Sequence, residues 1–267
     1  MHRCYCPDLP DTGIIALPPE EAHHAGSVLR LQVGDSLVLF DGAGREAQAR
    51  VYSASKKTIE VEIESVAEVN RESKRRLTIA IALPKGDRQK WLIEKCVELG
   101  VAQILPLDVE RSVAKAEKQV VQRLERQVIE ASKQCRRNTL MKILDPMKWS
   151  EFLNQADKLR VASCELREKL VNGAISQQQL IKEPSQAENV RKDCLKLIAH
   201  PGGISVQDAL TKVGENGDVL VAIGPEGGFT DEECASAVDS GFEHLSLGSR
   251  ILRIETAAIS LAAQICN

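Results

Sequence analysis

Two loops carry the residue types and spacings on which chemistry is most readily built. The first lies within Asp218–Glu233, "DVLVAIGPEGGFTDEE", where an apolar strand runs into Gly224, Pro225, Glu226, Gly227 and Gly228 and then into an acidic helix start. Strand, glycine-rich turn and helix is the layout of many phosphate sites, because the N–H groups and dipole at a helix start favour anions. A phosphate loop also needs a lysine, in G-x-x-x-x-G-K-[ST], and this stretch has none. Glu226, Asp231, Glu232 and Glu233 would repel phosphate, and no G-x-G-x-x-G opens the helix. A ligand with hydroxyls, an adenine edge or a positive centre fits better, since the glycines let main-chain groups approach it closely. Thr230 and Glu233 form a capping box for the helix that follows.

The second loop is "LSLGSRILRIETA", from Leu245 to Ala257. A strand end and Gly248 lead into Arg250 and Arg253, which flank Ile251 and Leu252, and Glu255 and Thr256 stand where the last helix begins. Cations beside a glycine turn at the carboxyl end of a strand suit anion or RNA contacts.

The elements that must position these loops follow from periodicity. From Leu77 onward strands alternate with helices, which argues for a parallel sheet with helices on both faces. "RLTIAIALP" is the first strand, and "DRQKWLIEKCVELG" is a helix with Asp87 as N-cap and Gly100 as its stop. "VAQILPL" returns as a strand, an amphipathic helix covers Glu117–Cys135, "MKILDP" is a strand and "WSEFLNQA" a short helix. "LRVASCE" and "CLKLIAHPGG" are strand ends on either side of a polar excursion over 166–193. "GDVLVAIG" is a buried central strand, followed by helices at Asp231–Ser240 and from Glu255. Upstream, residues 1–72 form a small β-barrel module with a helical piece at Glu20–Leu29. In its strand "KTIEVEIESV", Ile59, Val61 and Ile63 alternate with Glu60, Glu62 and Glu64. The charged "NRESKRR" is a linker or hinge before the second module, 73–267.

Bulk properties narrow the function classes. Only 3% of the 267 residues are aromatic, which excludes a base-binding surface built on many stacked rings. A net charge of -3 gives no global pull toward RNA, so contact must come from local clusters such as Lys56–Lys57, Arg71–Arg76, Lys85–Lys90 and Lys133–Arg137. The eight cysteines follow no close-set framework, and Cys4 and Cys6 lack the second ligand pair of a zinc site, so no metal is expected. With no apolar stretch of signal-peptide or membrane-span character, a soluble cytoplasmic protein is expected.

Taken together, "RQKWLIEKCVELGV", "IGPEGGFTDEE" and "LGSRILRIETA" resemble the RsmE family of ribosomal RNA uridine methyltransferases, within the SPOUT superfamily. The likeness spans nearly the whole chain, and "HHAGSVLRLQVGDSLVLFDG" with "SASKK" resembles the family's PUA-like RNA-binding barrel. The resemblance implies an α/β domain with a parallel sheet and a deep trefoil knot, an exception to the rule against threaded chains. It also implies S-adenosylmethionine in that knot, contacted by Ala199, His200, Pro201, Gly224, Pro225, Glu226, Gly227, Gly228, Leu247, Gly248, Ile251, Leu252, Arg253 and Thr256. Either "VASCE" or "LIAHP" supplies the first wall. This cofactor has no phosphate, so an acidic loop is no obstacle.

The implied reaction methylates N3 of a uridine in small-subunit (16S-type) ribosomal RNA. N3 loses its proton as it attacks, and the negative charge left on the uracil calls for a cation. Arg253 is the candidate, with Arg3, whose "R-x-Y" setting matches the family's N-terminal start. Glu255 and Thr256 are expected to order the loop or the helix start, and His200 to make a main-chain contact in the cofactor wall. RNA contacts are expected from Arg30, Lys56, Lys57, Arg88, Arg136, Arg137 and Arg250. "SKQCRRN" resembles the family's Q-C-x-R-N element, Gln134, Cys135, Arg137 and Asn138, near the active site in that superfamily. Cys135 is not expected to be a nucleophile, since methylation at a ring nitrogen needs no covalent adduct. Ser249 stands where the family often has proline. The partners implied are ribosomal RNA or the small ribosomal subunit and a second copy of the chain in a homodimer. The rival readings are a knotted methyltransferase for another base or a ribose hydroxyl, and a non-catalytic RNA-binding protein of ribosome assembly.

Overall fold

The computed structural model describes residues 1–55, 58–113, 118–157 and 194–266. Lys56, Lys57, "LRVASCE" and the polar excursion lie outside the described residues.

Alternation builds the first sheet. Its strands are β1 (His2–Tyr5), β2 (Gly13–Ala16), β3 (Ser36–Phe40), β4 (Arg45–Ala54) and β5 (Ile59–Glu68), in the order β1-β3-β4-β5-β2. Ile59, Val61 and Ile63 point inward onto Leu37, Leu39, Ala47, Ala49 and Val51, while Glu62 and Glu64 face water. Register shifts in the β4–β5 pair, between Gln48 and Ala49 and between Val51 and Ser53, bend the long hairpin around the core of this module. Helix α1 (Pro19–His23) and a π turn at His24–Val28 add Ala22 and Ala25 to the same core. Cys4 and Cys6 are buried there, and burial, reinforced by Glu21, pushes the Cys4 thiol up to about 12. Cys4 therefore serves as a small apolar side chain.

The second sheet has strands β6 (Arg76–Ile81), β7 (Gln103–Asp108), β8 (Lys142–Ile143), β9 (Met147–Lys148), β10 (Cys194–Ile204), β11 (Asp218–Ile223) and β12 (Glu243–Leu245). Their order is β12-β10-β11-β6-β7-β8, with β9 also on β7, and every pair is parallel. The helices are α2 (Asp87–Glu98), α3 (Lys118–Cys135), α4 (149–157), α5 (Val206–Leu210), α6 (Asp231–Asp239) and α7 (Ile254–Ile265). The expected strand at "MKILDP" is only two residues long, Lys142–Ile143.

Both faces of the sheet are covered. Ile79, Ile81, Val219, Val221 and Ile223 pack with Leu92, Ile93 and Cys96 of α2 and with Ala257, Ala258 and Ala262 of α7. On the other face Ala80, Ala82 and Ala222 leave room for Phe152, Phe229 and Phe242. Leu105, Leu107, Ile198 and Leu220 share that layer with the alanines and the rings, so large and small side chains interdigitate as close packing requires. Helix α2 stops as expected: Gly100 has φ 85, Gly100 N–H donates to the Val97 carbonyl at 3.1 Å and Val101 N–H to Cys96 at 3.0 Å. Its N-cap, however, is Gly86, and Asp87 is the first helical residue without a capping hydrogen bond. Asp87 still complements the helix dipole from that position.

The two sheets are joined by a polar junction rather than a hinge. Glu46 accepts from Arg71 at 3.0 and 3.3 Å, from Arg3 at 3.2 Å and from Asn138 Nδ2 at 3.0 Å. Asn138 Oδ1 takes a second Arg3 nitrogen at 2.5 Å. The "NRESKRR" stretch is tied down here, because Arg71 holds Glu46 and Glu72 accepts from Arg137 Nε at 2.8 Å. Arg137 also donates to the Val101 carbonyl at 2.8 Å and is only 5% exposed, so the expected RNA contact for it is corrected to a structural one. Lys133, at the end of α3, reaches Glu21 of α1 at 3.0 Å.

Burial pushes the Glu46 carboxyl up, but hydrogen bonds from Arg71, Asn138 and Arg3 outweigh it and hold its pKa down at about 2. A pKa depressed on folding contributes stability above the ordinary value of 4.5, and that contribution is lost as pH falls toward about 2. Glu46→Gln should therefore lower the free energy of unfolding at neutral pH by about 2 kcal/mol. Urea titrations at pH 7 and pH 3 should show the gap between wild type and variant shrinking in acid.

Candidate functional site

The carboxyl ends of β12, β10, β11 and β6 lie side by side, since Ala199 pairs with Leu245, Ile198 with Ala222 and Ile223 with Ile81. Every loop singled out in the sequence leaves the sheet along this edge, the place where open parallel sheets hold ligands.

The first wall is a bulge. Ala199 and Ile204 both register with Leu245, so residues 200–203 are extruded from the β10–β12 ladder. Gly203 makes this possible: a Cβ there would lie 2.3 Å from the His244 carbonyl carbon and oxygen. Pro201 and Gly202 are exposed on the bulge, and the His200 and His244 rings lie 4.6 Å apart. His200 Nδ1 is 2.7 Å from the Pro201 carbonyl oxygen.

The second wall is the loop after β11. Gly228 N–H donates to the Pro225 carbonyl at 2.8 Å, closing a tight turn that presents Glu226, Gly227 and Gly228 to solvent. Two distant arginines brace it. Arg111 donates to the Gly227 carbonyl at 2.7 Å, and Arg88 Nη1 donates to Glu226 Oε1 at 3.0 Å. The capping box is present: Thr230 Oγ1 accepts from Glu233 N–H at 3.1 Å, and Glu233 Oε2 accepts from Thr230 N–H at 2.9 Å. Glu233 Oε1 additionally accepts from Glu110 N–H at 2.9 Å, so the cap also fastens the loop after β7 to the site.

The third wall runs from Ser246 to Arg253. Leu247 and Leu252 are half-buried against the core, whereas Gly248, Arg250, Ile251 and Arg253 are exposed, Ile251 by 93%. Arg253 is the N-cap of α7 and, among the described residues, makes no ion pair. Thr256 is exposed on the first turn, while Glu255 beside it is buried. Glu255 Oε1 stands 3.8 Å from Arg88 Nη1, and its Oε2 is buried with no hydrogen-bond partner among the described residues.

All the expected cofactor-wall positions therefore share one edge of the sheet. Arg88, expected at RNA, faces the carboxylates of Glu226 and Glu255, because the start of α2 follows β6, whose end neighbours that of β11. Arg30, Arg136 and Arg250 are exposed. Arg3 is 7% exposed at its side chain and held at the junction by Glu46 and Asn138, with its guanidinium 5.0 Å from the Phe40 ring centre. Sequence reasoning missed the Arg111 brace and the Gly203 close approach. Only the glycine pair in "HPGG" pointed to the latter.

A site at the carboxyl edge of a parallel sheet, glycine-lined, acidic and without a lysine for phosphate, beside a five-stranded barrel, defines a two-module α/β protein for a non-phosphate ligand. The glycine turn and the unsatisfied oxygen of Glu255 fit a cofactor with main-chain hydrogen-bonding groups and a positive centre. Comparison with known proteins narrows this. An RNA methyltransferase domain family matches residues 71–181 and 170–266, and an RNA methyltransferase PUA domain family matches residues 17–64. A Synechocystis protein, ribosomal RNA small subunit methyltransferase E, is 32% identical over 253 residues, 94% of this chain and 72% of that one. Two solved structures superimpose with TM-scores of 0.78. One is a Neisseria gonorrhoeae ribosomal RNA small subunit methyltransferase E bound to S-adenosyl methionine, 30% identical and covering 98% of this chain and 95% of that one. The other is a Legionella pneumophila methyltransferase in complex with the same cofactor, 33% identical and covering 98% and 96%. The chain belongs to the ribosomal RNA small subunit methyltransferase E family.

The bulge gives a direct test. Gly203→Ala should cost about 2 kcal/mol or more, because the clash is with backbone rather than with a movable side chain. Gly202→Ala meets open space and should cost less, from its φ of 81 alone. Thermal unfolding of the two variants checks the order.

Proposed function

We propose that this protein transfers the methyl group of S-adenosylmethionine to N3 of a uridine in small-subunit ribosomal RNA. The observation that carries the reading is the carboxyl-edge site of three loops, in a chain that superimposes over 98% of its length on a relative bound to that cofactor. Bound S-adenosylmethionine supplies an electrophilic methyl carbon on a sulfonium. The residues of this chain do the rest. Residues 199–201 and 224–228, with Leu247, Gly248, Ile251, Leu252, Arg253 and Thr256, would line the cofactor, and Arg88 and Arg111 keep the second wall in place. Arg253 is exposed at the site and, among the described residues, pairs with no carboxylate, so its charge is available to the uracil oxygens as the N3 proton leaves.

Arg3 serves the junction on this reading, fixing the barrel against the methyltransferase module. We place the module boundary at residues 72 and 73, after β5 and before β6. The trefoil knot of the family, a homodimer and a cytoplasmic location belong to the same proposal. No described helix is long and apolar enough to cross a membrane. Arg30, Arg136 and Arg250 are the exposed basic residues suited to phosphate contacts.

Incubation of the purified protein with S-adenosylmethionine and unmodified small-subunit particles should yield 3-methyluridine on nucleoside mass spectrometry. A methyl on another base or on ribose would reassign the substrate, and none at all would refute an enzyme. Arg253→Ala should lower turnover by about a hundredfold while cofactor affinity changes by less than about threefold. Equal losses in both would refute a role at the reacting base.

A further inference from the structure

Glu255 is a carboxylate that the fold leaves incompletely answered. It lies in the first turn of α7 with its side chain 6% exposed, and its Oε2 has no hydrogen-bond partner among the described residues. Its Oε1 is 3.8 Å from Arg88 Nη1, beyond hydrogen-bond reach. That same nitrogen is engaged at 3.0 Å by Glu226 of the second wall. One guanidinium thus faces two carboxylates, so Arg88, Glu226 and Glu255 together carry one negative charge between the glycine turn and the third wall. An unsatisfied buried carboxylate oxygen is costly unless a donor or cation completes it.

Resting on the reading that this site takes S-adenosylmethionine, we propose that Glu255 is the residue by which the site distinguishes the methyl donor from its spent product. The donor carries a sulfonium and an ammonium against one carboxylate, a net positive charge. On transfer the sulfur–carbon bond breaks, its electron pair stays on sulfur, the methyl bonds to the acceptor nitrogen, and that nitrogen's proton leaves to solvent. The thioether left behind, S-adenosylhomocysteine, is neutral overall. An excess negative charge in a partly buried site attracts the first more than the second. Glu255 therefore raises the preference for the donor and loosens the hold on the product once the methyl has gone.

Titration calorimetry with S-adenosylmethionine and S-adenosylhomocysteine tests this. Glu255→Gln should weaken donor binding about tenfold and change product binding by less than about twofold. Arg88→Met leaves both carboxylates unanswered and should move the donor-to-product preference the opposite way, upward by several-fold. General damage to the walls would weaken both ligands together. Equal weakening of donor and product in Glu255→Gln, or an unchanged or lowered preference in Arg88→Met, would overturn the proposal. Should Glu255→Gln fail to fold, salt decides on the wild type: the donor preference should fall with rising KCl, and a flat ratio overturns it. Wild-type protein that binds neither ligand would overturn the cofactor reading and this inference with it. Wild-type binding with an unchanged ratio in Glu255→Gln would sink this inference alone.

Discussion

A parallel strand covered on both faces has no room for chemistry along its length, and that constraint organises the methyltransferase module. β6 and β11 are apolar on both faces, with Ile79, Ile81, Val219, Val221 and Ile223 toward α2 and α7 and Ala80, Leu220 and Ala222 toward the aromatic residues of the opposite layer. Polar side chains are displaced to the strand ends. Because the strands run the same way in closely matched register, the ends that follow β12, β10, β11 and β6 converge on one edge. The site is a consequence of that convergence.

The walls are held by residues from elements other than their own. Arg111, in the loop after β7, grips the Gly227 carbonyl, and Glu233 couples its helix cap to Glu110 in the same loop. Arg88 links α2 to the second wall and approaches the third. Each contact joins two different elements, so the site is stiffened across its width. Hydrogen bonds with a charged partner are the stronger kind, which suits loops whose own sequences are rich in glycine. The same contacts shape the local electrostatics: of the two bracing arginines, Arg88 meets two carboxylates.

The barrel is attached through a different set of charges. Glu46 gathers Arg3, Arg71 and Asn138, while Arg137 caps the end of α2 by taking carbonyl oxygens of Val97 and Val101 together with Glu72. The Q-C-x-R-N element thereby supplies two of its members, Arg137 and Asn138, to the junction. Burying these groups is tolerable only because nearly every donor finds an acceptor. Such a junction fixes the barrel's orientation more firmly than a charged linker would.

Local pattern by itself determined the element types. Alternation in β5, the capping box at Thr230 and Glu233, the glycine stop of α2 and the apolar run of β11 are all effects of neighbours within a few residues, so they were legible in the chain. The glycine turn and the missing lysine likewise excluded phosphate before any fold was known. Strands β1 and β2 escaped because four residues are too few to display a period. What tertiary structure alone decided is the partner of each charge. Arg88 meets Glu226 across 138 residues of chain, and Arg3 meets Asn138 across 135. No local rule encodes such distances, so Arg88 and Arg137 looked like surface cations for RNA until strand order and helix packing brought carboxylates to them. Charge sign and spacing are properties of the sequence, whereas whether a cation is free or engaged depends on what the fold places within a few ångströms.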